Sequence, residues 1–482
     1  MELKQRTATG LKWSTAAQGS RQGLQLLTSL VLARLLDPSD FGVLGMAMVV
    51  IGFAMLFRDM GLASAVIQKE TLTEEMLSTV FWINLGVGVL ITALIYLGAP
   101  LIAAFFDEPR LVPVLQILSL SFFFASASAL QLTLLERELA FEKVARIEIA
   151  SVVAGSVLGI TIALKGGGVY SLVFQALGTM CLTAVLLWML NPWRPRFMFR
   201  WSVVREIGSY SLNLTGFGIV NYIARNADLM LVGRYMGSEA LGYYYFSYRM
   251  MLFPLQNLSA AVGRVIFPVY SRMQSDKERF RRAFLKTSAT VALVAFPVLF
   301  GIVAVARPFI FALKADWAPV IQLITILAPM CMIASIVMNV GSIYKAMGRT
   351  DWMFRWTLVG STVRVAAIAI GLRWGIVGVA AGYTIAVALL AYPTLAIPFR
   401  LIHLRMRPLF RVLWRPFLSG LIMYVVVRVV ENALYGHVRF GVNLGISIVT
   451  GVGAFLLISL LINREQLMEF LRALRPRASS EV

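Results

Sequence analysis

Apolar runs of about 20 residues recur along almost the whole chain, and the links between them are short. A run of that length crosses the hydrocarbon core of a bilayer as one helix, and it is too long for a barrel strand. Lipid offers no partner to an open backbone group, so each run has to close its hydrogen bonds within itself. The chain is therefore expected to be an all-α, polytopic membrane protein. About fourteen transmembrane helices are expected, at 13–36, 41–63, 78–104, 112–134, 146–164, 169–190, 206–233, 241–270, 284–311, 318–346, 354–373, 376–398, 410–430 and 441–462.

Composition excludes the main soluble alternatives. Of 482 residues only 14% are charged and 59% are hydrophobic, whereas a soluble domain carries about 25% charged residues. The net charge of +20 invites a nucleic-acid reading. That reading fails because the charges fall in short clusters between apolar runs rather than along one face. Cys181 and Cys331 both lie in apolar runs, so neither a disulfide framework nor a Cys-based metal site is implied. His403 and His437 sit in links without partners at metal-ligand or catalytic spacing, and no Walker A sequence is present. No catalytic residue, metal or cofactor is expected. The N-terminus "MELKQRTATGLKW" lacks the short apolar core and small-residue cleavage site of a signal peptide.

The basic residues set a topology. With the N-terminus in the cytoplasm, thirty Lys and Arg fall in inside links and tails and seven in outside links. That asymmetry predicts an even number of spans with both termini cytoplasmic. The remaining seven arginines, Arg21, Arg34, Arg225, Arg249, Arg264, Arg364 and Arg428, fall within spans or near their ends.

A faint internal repeat divides the chain. "LDPSDFG" (Leu36–Gly42) follows the first span and "MGSEALG" (Met236–Gly242) follows the seventh, aligned without gaps at an offset of 200. Six spans separate the copies, so both have the same membrane orientation. Parallel repeats of this kind place a substrate site between two halves. The expected organisation is a six-helix lobe at 1–200, a second at 201–400, and an extra helix pair with a basic tail at 401–482. Small-residue pairs, Gly155 with Gly159 and Gly378 with Gly382, suit close helix contact.

Polar residues inside the spans point to a wet interior. Ser14, Gln18, Arg21, Gln25 and Thr28 recur at spacings of 4, 3, 4 and 3, so they share one helical face that lipid cannot satisfy. The seventh span carries Asn213, Asn221, Arg225 and Asp228 on one arc, and the eighth carries Arg249, Gln256, Asn257 and Arg264. Arg249 and Arg264 are 15 residues apart, which marks two depths about 22 Å apart along a helix. Each mid-span charge costs about 2.5–3.5 kcal/mol on insertion scales. A water-filled, positive cavity lined by these three spans accommodates them. Arginine stays charged there and pairs bidentately with phosphate. Arg225 and Asp228, three residues apart, also fit a structural pair, and both readings stay open; Arg428 and Glu431 read as structural. "YYYFSY" (Tyr243–Tyr248) fits an interfacial aromatic belt, or less readily a sugar-stacking platform.

The stretch "LVLARLLDPSDFGVLGMAMVVIGFAMLFRDMGLASAVIQ" and its second-half counterpart "NADLMLVGRYMGSEALGYY" carry a family resemblance. Together with fourteen spans in a six-plus-six repeat and an extra pair, they resemble the polysaccharide-transporter branch, the Wzx-type flippases, of the multidrug/oligosaccharidyl-lipid/polysaccharide (MOP) exporter superfamily. The resemblance covers essentially the whole chain. It implies a MATE-like fold in the bacterial inner membrane and the flipping of a polyprenyl-diphosphate-linked oligosaccharide to the outer leaflet. Its partners would be the bilayer, the lipid-linked glycan, and polymerase and export machinery. By position Arg21, Arg225, Arg249 and Arg264 would be the cationic lumen residues. A multidrug antiporter of the same superfamily would need an acidic cavity, against the basic bias here; a lipid-linked peptidoglycan-precursor flippase shares the basic lumen.

Overall fold

A computed structural model describes residues 2–58, 72–274 and 276–468, with side chains described at 18–58, 72–201, 219, 221–255, 270, 272–274 and 276–468. The described residues form helices and short links. Among them, ten segments are long and apolar enough to cross a bilayer. The chain folds into two compact units, Met1–Gly242 and Tyr243–Val482.

The first unit contains α1 (Glu2–Leu35), α2 (Pro38–Arg58), α3 (Glu74–Phe106), α4 (Leu111–Arg137), α5 (Phe141–Leu164), α6 (Val169–Leu190) and the first part of α7 (Trp201–Arg272). Within it α3 packs on α4, α5 on α6, α1 on α5, and α4 on α6. Local chemistry sets the boundaries. Thr73 caps α3 by accepting from the Met76 amide at 3.2 Å, with Glu74 and Glu75 in the positive first turn. Asp107 ends α3 in the left-handed conformation at φ 57°. The α5–α6 pair is close because a Cβ on Gly155 would stand 2.7 Å from the Gln175 carbonyl oxygen, and one on Gly159 would stand 2.9 Å from the Ser171 carbonyl oxygen. The small-residue spacing in the sequence is thus a backbone contact in the structure.

The link "NPWRPRFMFR" is more than a turn. Its Arg196 and Arg200 amides donate to Ser78 Oγ and Thr79 Oγ1 of α3 at 3.1 and 3.0 Å. The Arg196 and Arg200 side chains reach Glu74 and Glu75 at 3.4 and 3.3 Å. The strap therefore runs extended along the first turns of α3, and Trp82 stacks on Phe197. The long helix α7 that follows is broken at Gly237, whose φ of 81° and ψ of −178° interrupt the helical bonding between the seventh and eighth spans.

The second unit contains the rest of α7, then α8 (Lys277–Leu313), α9 (Pro319–Val337), α10 (Gly341–Ala346), α11 (Thr350–Gly371), α12 (Gly375–Leu401), α13 (Met406–Leu434) and α14 (Phe440–Ile462). Here α13 and α14 pack on each other and on α8, while α12 packs on α9 and α11. Asp276 caps α8 by accepting from the Arg279 amide at 2.9 Å. In the α11–α12 pair, a Cβ on Gly378 would lie 2.3 Å from the Gly371 carbonyl oxygen and one on Gly382 2.6 Å from that of Ala367. Between α8, α13 and α14 lies a cavity of about 490 Å³ with almost wholly apolar walls, including Pro297, Gly301, Met423, Val427 and Phe455.

Candidate functional site

Two residues of the polar stripe of α1, Arg21 and Thr28, reach α5. Arg21 Nη1 donates to Glu148 Oε1 at 3.0 Å, and two turns on Thr28 Oγ1 donates to Ser156 Oγ at 2.8 Å. Seven residues separate the α1 pair and eight the α5 pair, as two helices running side by side require. The Arg21 and Glu148 side chains are 37% and 29% exposed. The Arg21 Nε is buried without a hydrogen-bond partner among the described residues. Gln18 and Gln25 are half-buried on the same helix.

On α7, Arg225 and Asp228 have different surroundings. Arg225 is exposed. Asp228 is only 2% exposed, and its Oδ1 accepts from the Leu229 amide at 2.9 Å. Asn221 is half-buried, and Asn226 donates to the Tyr222 carbonyl at 2.8 Å. The Tyr222 hydroxyl donates to the Val49 carbonyl of α2 at 2.8 Å, in a space opened by Gly52. Arg249, in the second unit, is also exposed. It follows Tyr248, whose ring stacks on Tyr244 at 6.0 Å and on Tyr383 at 6.4 Å. Asn213, Gln256, Asn257 and Arg264 lie on α7, and their side chains are outside those described.

Of the other intramembrane arginines, Arg428 pairs with the fully buried Glu431 at 2.9 Å, the structural pair the spacing suggested. Arg364 bonds back to Gly360 O and Ser361 Oγ of its own helix, both at 3.1 Å.

One polar cluster had no signature in the sequence. Arg110, in the link between α3 and α4, grips Glu108 through Nε and Nη2 at 2.9 and 3.0 Å and donates from Nη2 to Ser238 Oγ at 3.0 Å. Those hydrogen bonds hold the Glu108 carboxyl below its ordinary range, against a smaller opposing effect of burial. In the sequence Arg110 counts only as one outside charge.

These features define a class: a polytopic membrane protein with the fold of the MOP superfamily. That fold is shared with the lipid II flippase MurJ in an inward closed conformation, at a TM-score of 0.74 and 17% identity over 94% of this chain and 99% of that one. It is also shared with an inward-facing MATE transporter of the MOP superfamily, at a TM-score of 0.61 and 15% identity over 79% of this chain and 94% of that one. A sequence profile of the family described as "Polysaccharide biosynthesis protein" matches residues 31–322, and the chain belongs to that family. Among similar proteins, the lipopolysaccharide biosynthesis protein WzxC of Escherichia coli K12 is 28% identical, over 80% of this chain and 79% of its own. The succinoglycan biosynthesis transport protein ExoT of Rhizobium meliloti 1021 is 27% identical, over 97% and 96%.

Proposed function

We propose that the chain is a flippase that carries a polyprenyl-diphosphate-linked oligosaccharide from the cytoplasmic to the outer leaflet of the bacterial inner membrane, for surface polysaccharide biosynthesis. The observation that carries this reading is a set of arginines placed within the spans of a polysaccharide-biosynthesis family member, Arg225 and Arg249 with their side chains exposed. A guanidinium in a wet intramembrane cavity offers a planar, permanently charged fork to a diphosphate. Arg21, Arg225, Arg249 and Arg264 are the proposed diphosphate ligands. Gln18, Gln25, Asn213, Asn221, Asp228, Gln256 and Asn257 are the proposed polar lining, with amides suited to sugar hydroxyls.

The proposed cycle is alternating access, with lobes 1–200 and 201–400 exchanging the face to which the cavity opens and 401–482 adding a helix pair. Fourteen spans with both termini cytoplasmic accord with the basic links. Transport of this kind makes and breaks no covalent bond in the glycan, so the chain itself acts as a carrier. Polymerase and export machinery would take the delivered unit.

The test is complementation of a strain lacking the gene, with surface polymer and cytoplasmic-leaflet lipid-linked intermediate measured together. Loss of polymer with accumulation of the intermediate supports the reading, provided that normally expressed Arg225→Ala and Arg249→Ala variants fail to rescue. Normal export of the intermediate with altered drug tolerance would install the antiporter in its place.

A further inference from the structure

The two copies of the sequence repeat touch each other. α2 starts at Pro38, and helix resumes after Gly237 with Ser238. A Cβ on Gly42 would stand 1.7 Å from the Ser238 carbonyl oxygen, and a Cβ on Gly242 1.8 Å from the Pro38 carbonyl oxygen. Pro38 and Ser238 are equivalent under the 200-residue offset, as are Gly42 and Gly242. The contact is thus its own image: each glycine lies on the carbonyl of the residue that begins the helix of the other copy. Two helices meet here backbone to backbone, too closely for any side chain to fit between them.

Arg110 closes over this crossing. Its guanidinium bonds to Ser238 Oγ of the second copy at 3.0 Å and stands 4.0 Å from Asp40 Oδ1 of the first. Glu108 holds the guanidinium bidentately. Asp40 in turn takes the Asp37 amide, at 3.4 Å, and the Val169 amide that starts α6. Arg234 lies over the Phe105 ring beside it, 5.9 Å from the centroid. The first turn of α2, the end of α3, the start of α6 and residues 233–242 therefore meet at one end of the first unit. The Arg110 side chain is 46% exposed, and ion pairs this open to solvent are weak. A tight but featureless backbone crossing with a weak polar fastening closes reproducibly and opens readily.

We propose that this crossing is a gate of the transport cycle and that Arg110 is its clasp, a positioning residue that sets how long the gate stays shut. The proposal rests on the alternating-access reading above. Separation of the two second helices of the repeat, α2 and the helix after Gly237, breaks the Arg110–Ser238 bond and both glycine contacts together. Under the proposed topology this is the outer gate.

Met46 tests it. It lies one helical turn beyond Gly42 on the same face and is 0% exposed. In a chain with Cys181 and Cys331 replaced by Ser, Met46→Cys is labelled with a membrane-impermeant maleimide on whole cells. Arg110→Ala should raise the labelling rate roughly threefold to fivefold, the factor that one exposed ion pair supplies. Arg110→Lys should fall between that variant and the parent, and Gly242→Ala, which forces the backbones apart, should exceed both. A second reporter, Val320→Cys, buried at 0% exposure in the second unit, controls for loosened folding. Equal acceleration at both reporters, or no acceleration at Met46→Cys, overturns the gate. The assay needs no substrate. Selective acceleration in a protein that fails the complementation test upholds the gate while removing the flippase reading.

Discussion

Arg21 and Glu148 are joined at 3.0 Å across 127 residues of sequence, linking α1 to α5. On its own helix Arg21 has no acidic neighbour at helical spacing, and the sequence alone left it as a free cation for a ligand. The structure supplies the counter-charge from the adjacent helix. A diphosphate that engages Arg21 must therefore compete with Glu148, so the pair is a resting contact as well as a part of the proposed site. With both side chains about a third exposed, the coupling in a double-mutant cycle of Arg21→Ala and Glu148→Gln is expected to be about 1 kcal/mol or less. SDS-titration unfolding in mixed micelles measures it. Polysaccharide export should separate the two residues: Arg21→Ala should lower it, whereas Glu148→Gln should retain most of it.

How legible this was varies with the kind of interaction. The spans were readable because hydropathy decides them: α6 and α14 begin and end within a residue of the apolar runs at 169–190 and 441–462. The glycine pairs were readable because small residues four apart have one main use between packed helices. The repeat was visible in seven residues, but its self-contact was not, since a crossing of equivalent segments leaves no pattern beyond the glycines themselves. Arg21–Glu148 and Arg110–Ser238 were illegible for the same physical reason. Pairs between helices obey three-dimensional neighbourhood, and nothing in the spacing of 21 and 148 or 110 and 238 encodes it. The strap at 191–200 is, in sequence, only one of the short links between apolar runs. Its hydrogen bonds to Ser78 and Thr79 are long-range and equally silent in sequence.

Arg225 and Arg249 should not tolerate loss of the guanidinium. If they hold a diphosphate, Ala at either position should cut export of the lipid-linked unit by tenfold or more, since a lost charge-assisted hydrogen bond is worth about 1.5–3 kcal/mol. Lys at either position should restore part of the activity, because it keeps the charge and loses the bidentate fork. If Lys is as good as Arg at both positions, a general positive potential is enough and the ligand assignment fails. The readout is the ratio of outer-leaflet to inner-leaflet intermediate at matched protein levels.

The α11–α12 contact should be intolerant of even one methyl group. A Cβ at Gly378 would lie 2.3 Å from a backbone oxygen, which cannot swing away as a side chain would. Gly378→Ala is expected to cost about 1–3 kcal/mol through forced separation of the helices. Gly453, where a Cβ meets nothing within 4 Å, should accept Ala with little change. Comparison of the two variants by SDS-titration unfolding isolates the steric effect from helix propensity, which changes in the same direction for both.

The Glu108–Arg110 grip carries a pH signature of defined sign. Hydrogen bonding to Arg110 lowers the Glu108 carboxyl below its ordinary 4.5. A carboxyl depressed in the folded state stabilises it fully above the ordinary value and progressively less as the pH falls toward the lowered one. The grip should therefore be intact at neutral pH and weaken below about pH 4.5, releasing Arg110 from its anchor. Maleimide reacts too slowly in acid for direct use, so the gate is followed by solvent quenching of a fluorophore attached at Met46→Cys in reconstituted protein. Quenching should rise in the parent as the pH falls from about 4.5 through the lowered range of Glu108. Glu108→Gln should show raised quenching already at pH 7 and a flatter profile across that interval. A parent profile that is flat while Glu108→Gln matches it would mean that Glu108 does not hold the clasp.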